Sequence, residues 1–310
     1  MPDGLPPLRP IPAPSLRPWA GSRLTAHGAD VGELWLAGPA SVVQVGAEGP
    51  RTLDELAAEV GDTLVGSAGL ARYGARFPLL AKLIDARDWL SLQLHPDDAL
   101  ARELVGPKAI GKAEAWVVLD ATPDAMLIVG PAFGRSETEL RAAIAAGTAG
   151  RADCSEVPAV AGDVLLIRPG TLHAIGGGTF LYELQQPSDL TYRVSDWGRS
   201  GRQLHTEESL RALRAESHAE ACGRGFLIDG GTLEIPELRL ELPAVSTPIV
   251  RHPAGRSPEV VTAIRGSLRL TTGDWSETLA ARETVVVPAG VAAYELAGAP
   301  EGMAAIGSLP

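Results

Sequence analysis

GDVLLIRPGTLHAIGGGTFLYELQQ, residues 162–186, holds two short apolar runs, GDVLLIRP (162–169) and TFLYELQQ (179–186). A Pro-Gly turn, one histidine and three consecutive glycines separate them. Runs of this length bounded by Gly and Pro read as strands. The same punctuation recurs upstream in WLSLQLH (89–95), EAWVVLD (114–120) and AMLIVG (125–130). After about residue 225 the pattern is almost wholly strand and turn: ELRLEL (237–242), PEVVTAIRGSLRLTT (258–272), ETVVVPAG (283–290) and VAAYELAG (291–298). Closely spaced strands with glycine turns predict a mostly β fold, a sandwich or jelly-roll barrel. Four short helices are expected beside them. Thr52-x-x-Glu55 is a capping box opening a helix that Gly61 closes. Pro96 suits the first turn of a helix running to Gly106. Ser136-x-x-Glu139 opens a third, ended by Gly147, and residues 207–217 give a fourth.

The 310 residues suggest two domains. The 35 glycines and 25 prolines favour turns over long helices. Seven of those prolines fall in residues 1–18, which read as an extended arm on the surface or across a sheet edge. No apolar run is long enough for a membrane span, and no secretory signal is visible. The net charge of −11 argues against nucleic acid as a partner and requires a local basic pocket for any anionic substrate. Cys154 and Cys222 are too few for a disulfide framework, so the expectation is free thiols in a reducing cytoplasm.

An internal echo predicts two barrels. Glu114-x6-Ala121 matches Glu259-x6-Gly266, and Gly170-x-x-His173 matches Gly290-x-x-Ala293. On this count Ala293 stands where the first half has His173. The second barrel would then lack that residue.

Gln93-x-His95 closes a strand-like run, and residues two apart on a strand share a face. Glu114 begins the next strand, and His173 follows the Pro169-Gly170 turn. Two histidines and a carboxylate are a common catalytic set for a divalent metal, with one position left for water or substrate. The carboxamide of Gln93 could add a weak neutral ligand. On spacing alone, a set of polar residues satisfied near turns stays equally open.

The stretches FPLLAKLIDARDWLSLQLHPDD (77–98), GKAEAW (111–116), RPGTLHAIGGG (168–178), YELQQPSDLTYRVSDWGR (182–199) and RQLHTEESL (202–210) resemble type I mannose-6-phosphate isomerases of the short bacterial kind. The resemblance implies two cupin-like jelly-roll domains with a few short helices. A catalytic, metal-binding domain would span 1–225 and a degenerate cupin without metal 226–310. It implies one zinc ion per chain on Gln93, His95, Glu114 and His173. Arg193 and Glu183 would be catalytic, with Lys112 a further active-site residue. Ser91, Lys82 and Arg199 would contact the substrate phosphate. The implied reaction interconverts mannose 6-phosphate and fructose 6-phosphate through a cis-enediol(ate), in a cytoplasmic monomer or weak homodimer. Two departures touch neighbours of the ligands: Arg168 stands in the turn before His173, and Ala113 and Ala115 flank Glu114. A second reading, a metal-binding cupin that senses a sugar phosphate without turnover, would be free to lose Arg193 and Glu183.

Other polar residues have plainer readings. Asp97 and Asp98 suit the positive end of a helix. Asp189 and Asp196 suit ion pairing with Arg193 or turn capping. His205 is expected to be structural, and His27, His218 and His252 local. The glycines at 176–178 lack the Lys-Ser/Thr of a phosphate loop and read as a tight turn.

Overall fold

The computed structural model describes residues 4–46, 49–223 and 231–310. The chain forms two compact units. One comprises Pro14–Glu33 and Ile84–Arg224; the other comprises Met1–Ala13, Leu34–Leu83 and Gly225–Pro310. Chain order and compact units therefore differ. The described parts of 4–13 and 34–83 belong with the C-terminal strands, and backbone bonds show why. Leu8 and Val286 exchange both N–H···O bonds at 2.8 Å, so the proline-rich arm lies along a strand edge.

In the first unit, antiparallel strands run in the order Thr179–Gln185, Glu114–Ala121, Val164–Ile167, Glu220–Gly223. Ala174–Ile175, Met126–Pro131 and Cys154–Pro158 form a second sheet, and Leu92–Leu94 pairs with Tyr192–Ser195. Period-two alternation sends Trp116 and Val118, Leu165 and Ile167, and Leu181 into one buried cluster. A second cluster, including Leu92, Leu94, Leu172 and Tyr192, also takes in Leu140 and Ile144 of the helix Glu137–Ala145. Each fully buried Leu or Val contributes about 1.5–3 kcal/mol.

The other unit holds a five-stranded and a four-stranded antiparallel sheet around Val261, Leu270, Val285, Val287, Leu296 and Ile306. No helix among the described residues is long and apolar enough to cross a membrane.

The capping boxes at Thr52 and Ser136 form as read. Asp97 rather than Pro96 sets the third start: its carboxylate accepts the Leu100 N–H at 2.8 Å, and the helix is Asp98–Leu104. The last helix is shorter than expected, Thr206–Ala212. A twelve-residue helix, Asp62–Tyr73, went unread because Gly66 and Gly69 interrupt its pattern. Gly66 kinks it at φ 70° and ψ 177°, a region open essentially to glycine alone. A Cβ there would also stand 2.4 Å from the Arg256 backbone.

Strand pairing sharpens the internal echo. Glu114 pairs with Ile167 as Glu259 pairs with Val287. Gln93 bridges to His173 as Arg251 pairs with Tyr294. Arg251 and Tyr294 are thus a cross-strand pair that both bond Glu259.

Candidate metal centre and active site

Gln93 lies in the strand Leu92–Leu94, and His95 follows it immediately. His173 and Gln93 exchange backbone N–H···O bonds at 2.9 and 3.0 Å, which brings the two loops together. Glu114, at the start of its strand, faces both histidines. His95 Nε2 is 3.1 Å from Glu114 Oε1, and His173 Nε2 is 3.7 Å from Glu114 Oε2. Gln93 Nε2 lies 3.4 Å from His173 Nε2. The His95, Glu114 and His173 ligand atoms fall within 4.8 Å of one another, and all three side chains are buried. The four expected ligands are thus together.

The proton positions follow from the partners. His95 Nδ1 is 2.8 Å from the Leu190 carbonyl, and His173 Nδ1 is 2.9 Å from the Thr171 carbonyl. A carbonyl only accepts, so each Nδ1 donates and each Nε2 turns a lone pair inward. Burial pulls both imidazoles below the ordinary histidine range, His173 to about 3, so both rings stay neutral, as ligands must. His95 Nε2 is buried and receives no hydrogen bond. Two ring lone pairs therefore face a carboxylate, and acceptors facing acceptors repel. A divalent cation relieves this, and two imidazoles with one carboxylate are a donor set that fits such an ion.

Lys112 Nζ is 2.8 Å from Glu114 Oε1. Burial alone would lower its pKa, but Glu114, Glu183 and Asp189 outweigh burial and hold it as an ammonium. In turn, Lys112 and then His95 overcome burial at Glu114 and keep that carboxyl well below its usual range. Glu183 is buried on the neighbouring strand, directly opposite Trp116. The Trp116 indole N–H donates to Glu183 Oε1 at 2.9 Å and to Glu114 Oε2 at 3.2 Å.

Arg193 is the Cα partner of Gln93, so the two side chains share a face. Its Nη1 donates to the Gln203 carbonyl at 2.8 Å, and its backbone N–H donates to His205 Nδ1 at 3.1 Å. His205 is thus structural. Among the described residues no carboxylate lies within ion-pair distance of Arg193. Asp196 is engaged instead by Arg199 at 2.9 Å and Arg202 at 3.5 Å.

The expected phosphate contacts fall in three different settings. Ser91 is buried and donates to Gln93 Oε1 at 3.0 Å. Arg199 bonds Asp88 at 3.2 Å, the Trp89 carbonyl at 2.7 Å and Asp196, which is the bonding of a strut. Lys82 is buried on the strand Leu80–Asp85 in the other unit, with Nζ 4.9 Å from the Trp35 ring centroid. The sequence reading missed Arg202, whose Nη2 donates to Ser91 Oγ at 3.3 Å. It also missed Trp116. Both lie in stretches read for other residues, and only strand pairing and loop packing reveal them. Asp97 caps its helix through the Leu100 N–H, as its plainer reading expected, while the Asp98 carboxylate accepts the Gly111 N–H from outside the helix.

Jelly-roll sheets with histidines and a carboxylate gathered beside one core define a cupin with a candidate metal centre. Residues 22–114 match the family model "Phosphomannose isomerase type I, catalytic domain". The chain is 39% identical over 227 residues to the mannose-6-phosphate isomerase of Streptococcus mutans, spanning 68% of this chain and 69% of that one. It is 35% identical over 218 residues to the mannose-6-phosphate isomerase ManA of Bacillus subtilis, spanning 66% and 67%. The crystal structure of the Bacillus subtilis mannose 6-phosphate isomerase superposes with a TM-score of 0.81 at 26% identity, covering 98% of this chain and 100% of that one. A phosphomannose isomerase variant from Salmonella typhimurium shares the fold at a TM-score of 0.78 and 13% identity, with 98% and 100% covered. The chain belongs to the type I mannose-6-phosphate isomerase family.

Proposed function

We propose that this chain interconverts mannose 6-phosphate and fructose 6-phosphate through a cis-enediol(ate), with one zinc ion held by Gln93, His95, Glu114 and His173. The observation that carries the reading is the pair of inward lone pairs of His95 and His173 against the Glu114 carboxylate. Zinc at this point would supply Lewis acidity toward the sugar oxygens at C1 and C2. The chain's own groups do the rest. Lys112, kept as an ammonium, is a fixed cation rather than a base. Proton movement between C2 and C1 falls to the Glu183 carboxylate, which takes the proton from one carbon and returns it to the other. Arg193, with no counter-ion of its own, meets the negative charge that develops on the enediolate. Ser91 and Arg202, which bond each other, receive the phosphate. The catalytic role falls to residues 1–225, and residues 226–310 work without metal.

A coupled assay on mannose 6-phosphate, run with metal analysis before and after chelation, tests this. The expected result is one zinc per chain, activity lost on chelation and activity regained with zinc. Full turnover by metal-free protein, or a second equivalent of bound metal, would overturn the assignment.

A further inference from the structure

We propose that the Trp116 indole N–H is a positioning group that fixes both carboxylates of the centre, so that zinc affinity depends on it. This rests on reading the cluster as a metal centre. Trp116 is completely buried, and a buried indole N–H needs an acceptor. Here it has two, and both are carboxylates: Glu183 Oε1 at 2.9 Å and Glu114 Oε2 at 3.2 Å. The sheet dictates this sharing. Glu114 and Trp116 are two apart on one strand and share a face, and Glu183 is the cross-strand partner of Trp116. The ring also stands edge-on to His173, with centroids 5.5 Å apart and planes at 72°. One side chain therefore touches a ligand carboxylate, a ligand imidazole and the proposed proton carrier.

The division of labour around Glu114 gives the contact its meaning. Lys112 covers Oε1, while the indole holds Oε2, the oxygen nearer His173. Without the N–H, Glu114 is free to rotate toward Lys112 and leave the histidines. A plain core role predicts something else: a filled volume whose loss costs stability and nothing at the metal.

Trp116→Phe keeps most of the volume and removes only the donor. Zinc affinity is measured by chelator competition on folded protein, with kcat and KM from the same preparation. The expected result is zinc bound roughly 10–100-fold more weakly, the usual effect of losing an outer hydrogen bond to a ligand. At saturating zinc, kcat should fall while KM changes little. A zinc dissociation constant within about twofold of the parent's overturns the proposal, whatever happens to the melting temperature. Should the variant not fold, indole ¹⁵N–H spectra of the parent decide: the Trp116 resonance must shift on zinc loading, and an unmoved resonance overturns the proposal equally. A parent that binds no zinc overturns the reading of the centre itself, and this role with it.

Discussion

Arg193 is held by a carbonyl and a backbone bond to His205, not by an acid, and this separates two accounts of it. A loop-holding arginine would spend its charge on Asp189 or Asp196. Instead Asp196 serves Arg199 and Arg202. Burial, with Arg17 and Arg199 behind it, pushes the Arg193 pKa down despite Asp196, so its charge is poorly compensated. Charge that is uncompensated in the ground state is available to the transition state. Arg193→Ala should keep its fold and zinc but lose on the order of 10²–10³ in kcat, as for one oxyanion donor. Arg193→Lys should recover only part, since a point charge cannot reproduce the planar fork. Melting temperature, zinc content and kcat from one preparation check this. Lost stability with kcat nearly unchanged would return Arg193 to a structural role.

Helix starts were legible at Thr52 and Ser136, where a capping box carries that chemistry in residue type and spacing, whereas the Asp97 cap was hidden behind Pro96. The helix Asp62–Tyr73 was not legible, because its order comes from packing: Gly66 lets the chain pass against the Arg256 backbone. Gly66→Ala should therefore cost about 1–3 kcal/mol of unfolding free energy, while Ser67→Ala beside it should cost little. Urea melts of the two variants make the comparison, and equal midpoints would remove the strain argument. The same division runs through the site. Gln93, His95, Glu114 and His173 are marked by residue type and strand spacing. The roles of Arg202 and Trp116 depend on which strand lies opposite which, and one sequence does not carry that information.

Across the whole molecule, each unit carries a cluster around a glutamate near the start of a strand, Glu114 in one and Glu259 in the other. In the C-terminal unit Glu259 pairs with Val287 as Glu114 pairs with Ile167, and Arg251 and Tyr294 are cross-strand partners. The Arg251 guanidinium binds Glu241 through two bonds at 3.0 and 2.8 Å, and Glu259 through two more at 3.2 and 2.6 Å. The Tyr294 hydroxyl donates to Glu259 as well. Arg251→Met should cost about 3 kcal/mol, because Glu241 and Glu259 lose the guanidinium they share, leaving Glu241 with Arg239 and Glu259 with the Tyr294 hydroxyl. Adding Glu259→Gln to that variant should return part of the loss, and a double-mutant cycle from denaturant melts reads the coupling. No recovery would mean that the arginine matters for its packing alone. The cation of this unit is written into the chain and is present as soon as the polypeptide is made. On the proposed zinc assignment, that of the other unit must be acquired from outside. Maturation is then confined to one half: newly synthesised apoprotein and finished enzyme differ in charge only around His95, Glu114 and His173.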